Sequence, residues 1–167
     1  DLGRGPDADA GQRAQAAIAS GRFKSETMPL EVSGKKGETN TFTQDEHCRA
    51  GTTLQDLAKL SPVFYKDGSV TAGNSSGITD GAAALLVLSE EELKRAGVNA
   101  QARIVDYEIS GVAPDIMGIG PVPAVRALLA RRNLTLDQID LIELNEAFAA
   151  QVIACDRELG FDAERLN

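Results

Sequence analysis

The chain has 167 residues, with 17 Lys and Arg against 25 Asp and Glu, a net charge of −8 and 43% hydrophobic residues. That length and apolar content suit one globular domain, or two small ones sharing a core, and exclude a disordered chain. The acid excess, with no basic cluster to meet a phosphate backbone, excludes nucleic acid as a partner, and no apolar run approaches the roughly 18 residues of a membrane span.

The chain opens on Asp1 rather than Met and has no charged-then-apolar leader, which points to a processed or partial chain. Residues 8–20, rich in Ala, Gln and Arg, predict a helix with Gly21 at the position just past its end. Leu30 and Val32 predict a strand running into the Gly34-Lys35-Lys36-Gly37 turn, with polar alternation continuing through Thr43. This stretch is short of large apolar side chains and needs a partner surface to stay ordered. Residues 53–60 predict one or two helical turns stopped by Ser61-Pro62, ahead of the apolar and aromatic Val63-Phe64-Tyr65. Gly73-Asn74-Ser75-Ser76-Gly77 is a tight turn, extended by Asp80-Gly81. Ala82 to Leu88 is a continuous apolar run of strand length, buried on both faces if it is a strand. Ser89 with Glu92 forms a capping box, so Ser89–Ala96 is a helix closed by Gly97.

From Ala102 the pattern reads strand, helix, strand, helix. Ala102 to Gly111 alternates around Ile104 and Val105, and Pro121 and Pro123 open a helix with Val125, Leu128 and Leu129 on one face, stopping near Asn133. Thr135 with Gln138 is a second capping box, Ile139–Leu144 the next strand, and Ala147–Leu159 the next helix, closed by Gly160. This order predicts an α/β fold with parallel strands, whose last unit lacks a closing strand before Asn167.

Candidate chemistry is sparse. Cys48 and Cys155 are the only thiols and His47 the only imidazole, too few for a closed zinc site without carboxylates, so no metal is expected. Two distant thiols read as reduced, which suits a cytoplasmic protein. His47 and Cys48 are chain neighbours, and in an extended segment their side chains diverge rather than form a nucleophile–base pair. Asn145-Glu146 lies between a predicted strand and helix, where α/β sites gather. Its amide could serve an oxyanion or a water, or Asn145 could simply cap the helix, with Glu146 suiting the helix dipole. The Gly73–Gly77 turn could admit a ligand's arm or be only a turn. Gly118-Ile119-Gly120 is a weak phosphate candidate because no strand directly precedes it, and Met117 reads by composition as a core filler.

Several segments, in order and in register, resemble the thiolases, the acyl-CoA acyltransferase family that includes acetyl-CoA acetyltransferases and 3-oxoacyl-CoA thiolases. They are Gly21-Arg22-Phe23-Lys24, Thr52-Thr53-Leu54, Val70–Gly77, Met117-Gly118-Ile119-Gly120-Pro121-Val122-Pro123 and Leu144-Asn145-Glu146-Ala147-Phe148-Ala149, within a likeness from near Gln12 to Asn167. The resemblance implies an incomplete thiolase-like α/β fold, with parts of two βαβαβ halves plus a loop domain. Residues 1–97 would be the end of the N-terminal half with most of the CoA-binding loop region, and 98–167 the start of the C-terminal half. It implies thiolysis of 3-oxoacyl-CoA by CoA, or the reverse Claisen condensation, through an acyl-cysteine.

By that resemblance Asn145 would hold the catalytic water that helps bind the thioester oxyanion. Ser76 and Gly77 would contact the pantetheine arm and Arg49 the adenosine end. Phe64, Ala72, Met117, Ala147 and Phe148 would line the pantetheine tunnel and acyl pocket. Coenzyme A and acyl-CoA thioesters would be substrates, with no separate cofactor, and the whole protein a homodimer or homotetramer. The departures are as informative. The family's nucleophilic cysteine, its Gly-His-Pro histidine and its Gly-Gly-Gly-loop cysteine have no counterpart in these residues, and neither Cys48 nor Cys155 matches a catalytic position. Asp56 stands where a small hydroxyl residue often helps hold CoA. The 167 residues alone are therefore expected to be inactive. The alternatives are a non-catalytic thiolase-like binder of CoA or lipid, or a structural α/β piece.

Overall fold

The computed structural model describes residues 6–34, 37–49 and 51–167. They divide into two units, Gly77 and the residues before it with Glu146–Ala150, and Ile78–Asn145 with Gln151–Asn167.

In the first unit, α1 (Pro6–Ala19) ends as its sequence dictates. Gly21 takes φ +71°, its N–H bonds the Ile18 carbonyl at 3.0 Å and the Arg22 N–H bonds that of Ala17 at 3.0 Å, so the last orphan carbonyls are satisfied by a left-handed glycine. The hairpin β1 (Leu30–Ser33) and β2 (Thr39–Phe42) is antiparallel, with Leu30 opposite Phe42 and Ser33 opposite Thr39. Lys35 and Lys36 of the predicted turn lie outside the described residues. Both strands are exposed along their whole length, as expected of a stretch with few large apolar side chains. The turn of helix α2 (Leu54–Leu57) starts at Thr53, whose hydroxyl accepts from the Asp56 N–H while the Thr53 N–H donates to the Asp56 carboxylate. This is a capping box. The Thr-x-x-Asp spacing in the sequence carries this signal.

In the second unit, α3 (Glu90–Ala96) is capped by the Ser89 hydroxyl, which accepts from the Glu92 N–H at 3.2 Å, and ends at Gly97 with φ +65°. The returning half of the predicted box is replaced, since the Glu92 carboxylate takes the Arg95 guanidinium instead. Helix α4 (Pro121–Arg132) begins on proline and ends on Asn133 at φ +51°, one of the few residues that tolerates the left-handed region. The predicted face, Val125, Leu128 and Leu129, is only half-buried, and the buried residue of this helix is Val122, at 3% exposure. Helix α5 (Ala149–Leu159) ends at Gly160, φ +67°. Its Cys155 is completely buried.

The predicted strands fare differently. Residues 82–88 and 102–111 form no ladder among the described residues, and their apolar side chains are exposed, Leu85 at 91% and Ile109 at 83%. The physical reason is that apolar, β-branched sequence supplies a strand's surface but not its neighbours, and a strand without a hydrogen-bonded partner is not one. Residues 106–108 are instead tied to α4 by Arg131, which donates to the carboxylates of Asp106 and Glu108 and to the Tyr107 carbonyl. The guanidinium holds the Asp106 carboxyl below its ordinary pKa, helped by the Tyr107 N–H. The third predicted strand, 139–144, shrinks to a bridge in which Ile142 pairs in parallel with Leu166. The Ile142 N–H bonds Arg165 O (2.8 Å), the Asn167 N–H bonds Ile142 O (2.9 Å) and the Leu144 N–H bonds Asn167 O (3.0 Å). So residues 165–167 lie alongside 142–144 where no closing strand was expected, and among the described residues parallel pairing is confined to this one bridge across α5.

Two glycines should respond oppositely to alanine. Gly11 sits mid-helix with open space at its Cβ position, so Gly11→Ala should stabilise by about 0.5–1 kcal/mol. Gly160→Ala forces a Cβ into the left-handed region and should cost about 1–2 kcal/mol. Urea midpoints that shift in the same direction for both variants would contradict this reading of the helix ends.

Candidate functional site

The Thr71–Gly77 turn is built by its own polar side chains. The Asn74 amide accepts from the Thr71 N–H (2.8 Å) and donates to the Ser69 carbonyl (2.9 Å), the Thr71 hydroxyl accepts from the Gly73 N–H (3.1 Å), and the Ser75 hydroxyl donates to the Thr71 carbonyl (2.7 Å). With its own side chains so occupied, the turn offers its backbone outward. The Ser76 N–H donates to Ala147 O at 2.9 Å and the Ala149 N–H donates to Asn74 O at 3.1 Å, with Ser75 bridging Phe148. The turn and the segment following Asn145 are thus joined through backbone bonds that no side-chain substitution removes directly.

Small residues make that approach possible. A Cβ at Gly73 would lie 2.6 Å from Leu57 Cδ2 and 2.8 Å from Leu60 Cδ1, and one at Gly77 would lie 2.5 Å from His47 Cε1. Beside the turn, Phe64 and Phe148 meet edge to face, ring centroids 5.7 Å apart at 80°. Such a pair contributes about 0.5–1.5 kcal/mol beyond area burial and leaves flat apolar surface on both rings. Of the residues named from the sequence, Phe64, Ser76, Ala147 and Phe148 are therefore brought together, with Ala72 and Gly77 in the same turn. Arg49 is exposed in the preceding loop, its carbonyl taking the Gln15 amide at 2.6 Å and the Thr52 hydroxyl at 3.1 Å. The loop's contact with the turn is made by His47, two residues earlier, whose imidazole lies against Gly77. Its signal was the bare glycine at 77, which lets an aromatic ring lie against the backbone.

In the second unit stand Met117 and Asn145. Met117 is 69% exposed, so it is not a core filler: it lies on a short 3₁₀ segment (Pro114–Ile119) whose backbone, with Gly120 N–H on Met117 O at 3.0 Å, turns its side chain outward. Asn145 is exposed and is not the cap of α5, because that helix begins four residues later at Ala149. Glu146 likewise precedes the first helical turn, so both bland readings of this pair fall away. The Ala149 N–H is bonded to the Asn74 carbonyl and Phe148 bridges Ser75 just ahead of the helix. Gly118 is a point of close approach to Gln151 rather than part of a phosphate loop. Cys48 and Cys155 are both free thiols, no hydrogen bond joins His47 to Cys48, and no cluster of metal-ligating side chains occurs among the described residues. No helix among them is long and apolar enough to cross a membrane.

Two family models match this chain, the thiolase N-terminal domain over residues 8–91 and the thiolase C-terminal domain over 98–167. The chain belongs to the thiolase family. It is 55% identical over 156 residues to an acetyl-CoA acetyltransferase of Pseudomonas aeruginosa, covering 93% of this chain and 40% of that protein. The crystal structure of human mitochondrial 3-ketoacyl-CoA thiolase superposes with a TM-score of 0.82 at 48% identity over 96% of this chain and 40% of that one. The same human enzyme in complex with CoA gives 0.81 at 48% identity, over 96% and 39%. The chain thus spans about 40% of the length of the relatives it matches, and its fold is an incomplete thiolase-like α/β fold.

Asp56 closes the capping box of α2. Its carboxyl is held below the ordinary pKa, chiefly by the Thr53 hydroxyl, then by Lys59 and the Thr53 N–H. A carboxyl depressed in the folded state adds stability above its unfolded pKa of about 3.9, and that stability is lost as pH falls through the lower folded value. An NMR titration should therefore put the Asp56 midpoint below that of a model peptide and Thr53→Ala should raise it. An unmoved midpoint in the variant would remove the capping box as the cause.

Proposed function

We propose that this chain is part of an acyl-CoA acyltransferase of the thiolase type, acting on CoA and 3-oxoacyl-CoA thioesters. In the reaction, a cysteine thiolate attacks the 3-oxo carbon, the C2–C3 bond breaks, and the acetyl-CoA enolate leaves and is protonated. CoA thiolate then takes the acyl group from cysteine. Asn145 holds the water that, by hydrogen bonding, stabilises charge on the thioester oxygen. Ser76 and Gly77 meet the pantetheine arm, Phe64, Ala72, Ala147 and Phe148 flank it, Met117 lines the acyl side and Arg49 serves the adenosine end. Residues 1–97 close the N-terminal half with the CoA-binding loop region, and 98–167 open the C-terminal half.

One observation carries this reading. The Ser76 and Asn74 backbone groups bond Ala147 and Ala149, so the turn proposed for the pantetheine arm and the apolar residues proposed to flank it form one surface. The alternative to a plain cap for Asn145 gains further support from its exposure ahead of the helix. The solved human relative in complex with CoA supports CoA as the ligand. Two unbridged thiols support a reducing, cytoplasmic setting, and the whole protein is proposed to be a homodimer or homotetramer.

The full-length protein containing this chain should cleave acetoacetyl-CoA in the presence of CoA, and the 167 residues alone should not. In the full-length protein, Asn145→Ala should lower kcat about 10²–10³-fold. Ser76→Ala should raise KM for CoA about fivefold, the value of one ordinary hydrogen bond. Full activity in the Asn145 variant would overturn the role given to that amide. CoA binding without turnover in the unaltered protein would favour a thiolase-like binder instead.

A further inference from the structure

The segment that carries Met117 is held to α5 by a three-residue contact. Gly118 lies so close to Gln151 that a Cβ added there would sit 3.0 Å from Gln151 Cγ and 3.4 Å from its Cβ. One helical turn on, Cys155 is fully buried, and its thiol donates to the Gly118 carbonyl at 3.4 Å while its sulfur accepts from Gln151 Nε2 at 3.6 Å. Glycine permits the approach, the thiol satisfies the carbonyl and the amide covers the sulfur. Gln151 Oε1 is left buried with no hydrogen-bond partner among the described residues, an arrangement that polar groups avoid unless other contacts fix the side chain. Here the fixing contacts are those to Gly118 and Cys155.

We propose that Gln151 and Cys155 are positioning residues that set how far Met117 projects into the acyl site, and thereby which 3-oxoacyl chain length is accepted. The inference rests on the acyl-site role given to Met117 above. Met117 is the residue before Gly118, and its carbonyl is bonded to the Gly120 N–H, so a displacement at Gly118 is passed to it through the backbone. A methionine side chain is long and flexible and takes its reach from where its backbone is anchored. The distal end of a long acyl chain would feel such a displacement, and the reacting carbons of a short one would not.

The test uses the full-length protein. Gly118→Ala should push Gln151 aside, and adding Gln151→Ala should relieve it, because the facing Cβ atoms are in ordinary contact at 3.4 Å. The KM ratio of 3-oxodecanoyl-CoA to acetoacetyl-CoA should change about tenfold in Gly118→Ala, with kcat for the short substrate within about twofold, and return to within about threefold in the double variant. Alkylation at Cys155, mapped by mass spectrometry, should accelerate in Gly118→Ala and slow again in the double variant. An unchanged alkylation rate in Gly118→Ala overturns the proposal, whatever the activity. Altered alkylation with an unaltered KM ratio also overturns it, leaving a packing contact alone. If the unaltered protein cleaves no 3-oxoacyl-CoA although alkylation behaves as expected, the acyl-site reading has failed and the positioning role falls with it, while the contact itself stands.

Discussion

Two backbone hydrogen bonds, Ser76 N–H to Ala147 O and Ala149 N–H to Asn74 O, are the constraint on which the first unit depends. They join segments far apart in sequence, and each needs a donor or acceptor that the turn has not already used. Asn74, Thr71 and Ser75 direct their side chains inward to satisfy the turn itself, which releases the outer backbone groups for the partner segment. The Phe64–Phe148 pair and the close contact of His47 with Gly77 follow from that junction. So does the start of α5, whose first N–H is taken by a carbonyl outside the helix.

The helix stops and two of the caps were legible in the sequence because their physics is local, whereas α5 starts at Ala149 and not at Ala147. Gly21, Gly97, Gly160 and Asn133 each stop a helix in the left-handed region, and Ser89 and Thr135 cap within four residues of themselves. The strands were not legible to the same degree because their physics is not local. Ala82–Leu88 has the composition of a buried strand, yet lies exposed because nothing among the described residues pairs with it. Ile139–Leu144 keeps one bridge because Leu166 is available.

The candidate site divides along the same line. Ser76, Ala147 and Phe148 could be named from motifs, and the structure joins them. Asn145 could be named, but spacing alone also suits a cap; the start of α5 at Ala149, four residues on, removes that reading. Asp56 was legible as a departure, while its work in the capping box required seeing Thr53 turn toward it. The Gly118–Gln151–Cys155 contact was invisible, since no spacing rule links a glycine to a helix more than thirty residues away.

The pairing of Ile142 with Leu166 has a bearing on the order in which the chain folds. Its partners are separated by a single helix, so closing that loop constrains little chain entropy, and the closure cost grows only by about 0.6 kcal/mol for each doubling of loop length. Contacts between near neighbours in sequence are reached sooner than those between distant ones. The crossover through α5 can therefore assemble as an early nucleus. The junction of the Thr71–Gly77 turn with Ala147 and Ala149 forms later, once the intervening chain has been drawn in. Local parallel pairing then sets the register of this crossover before the longer loop closes.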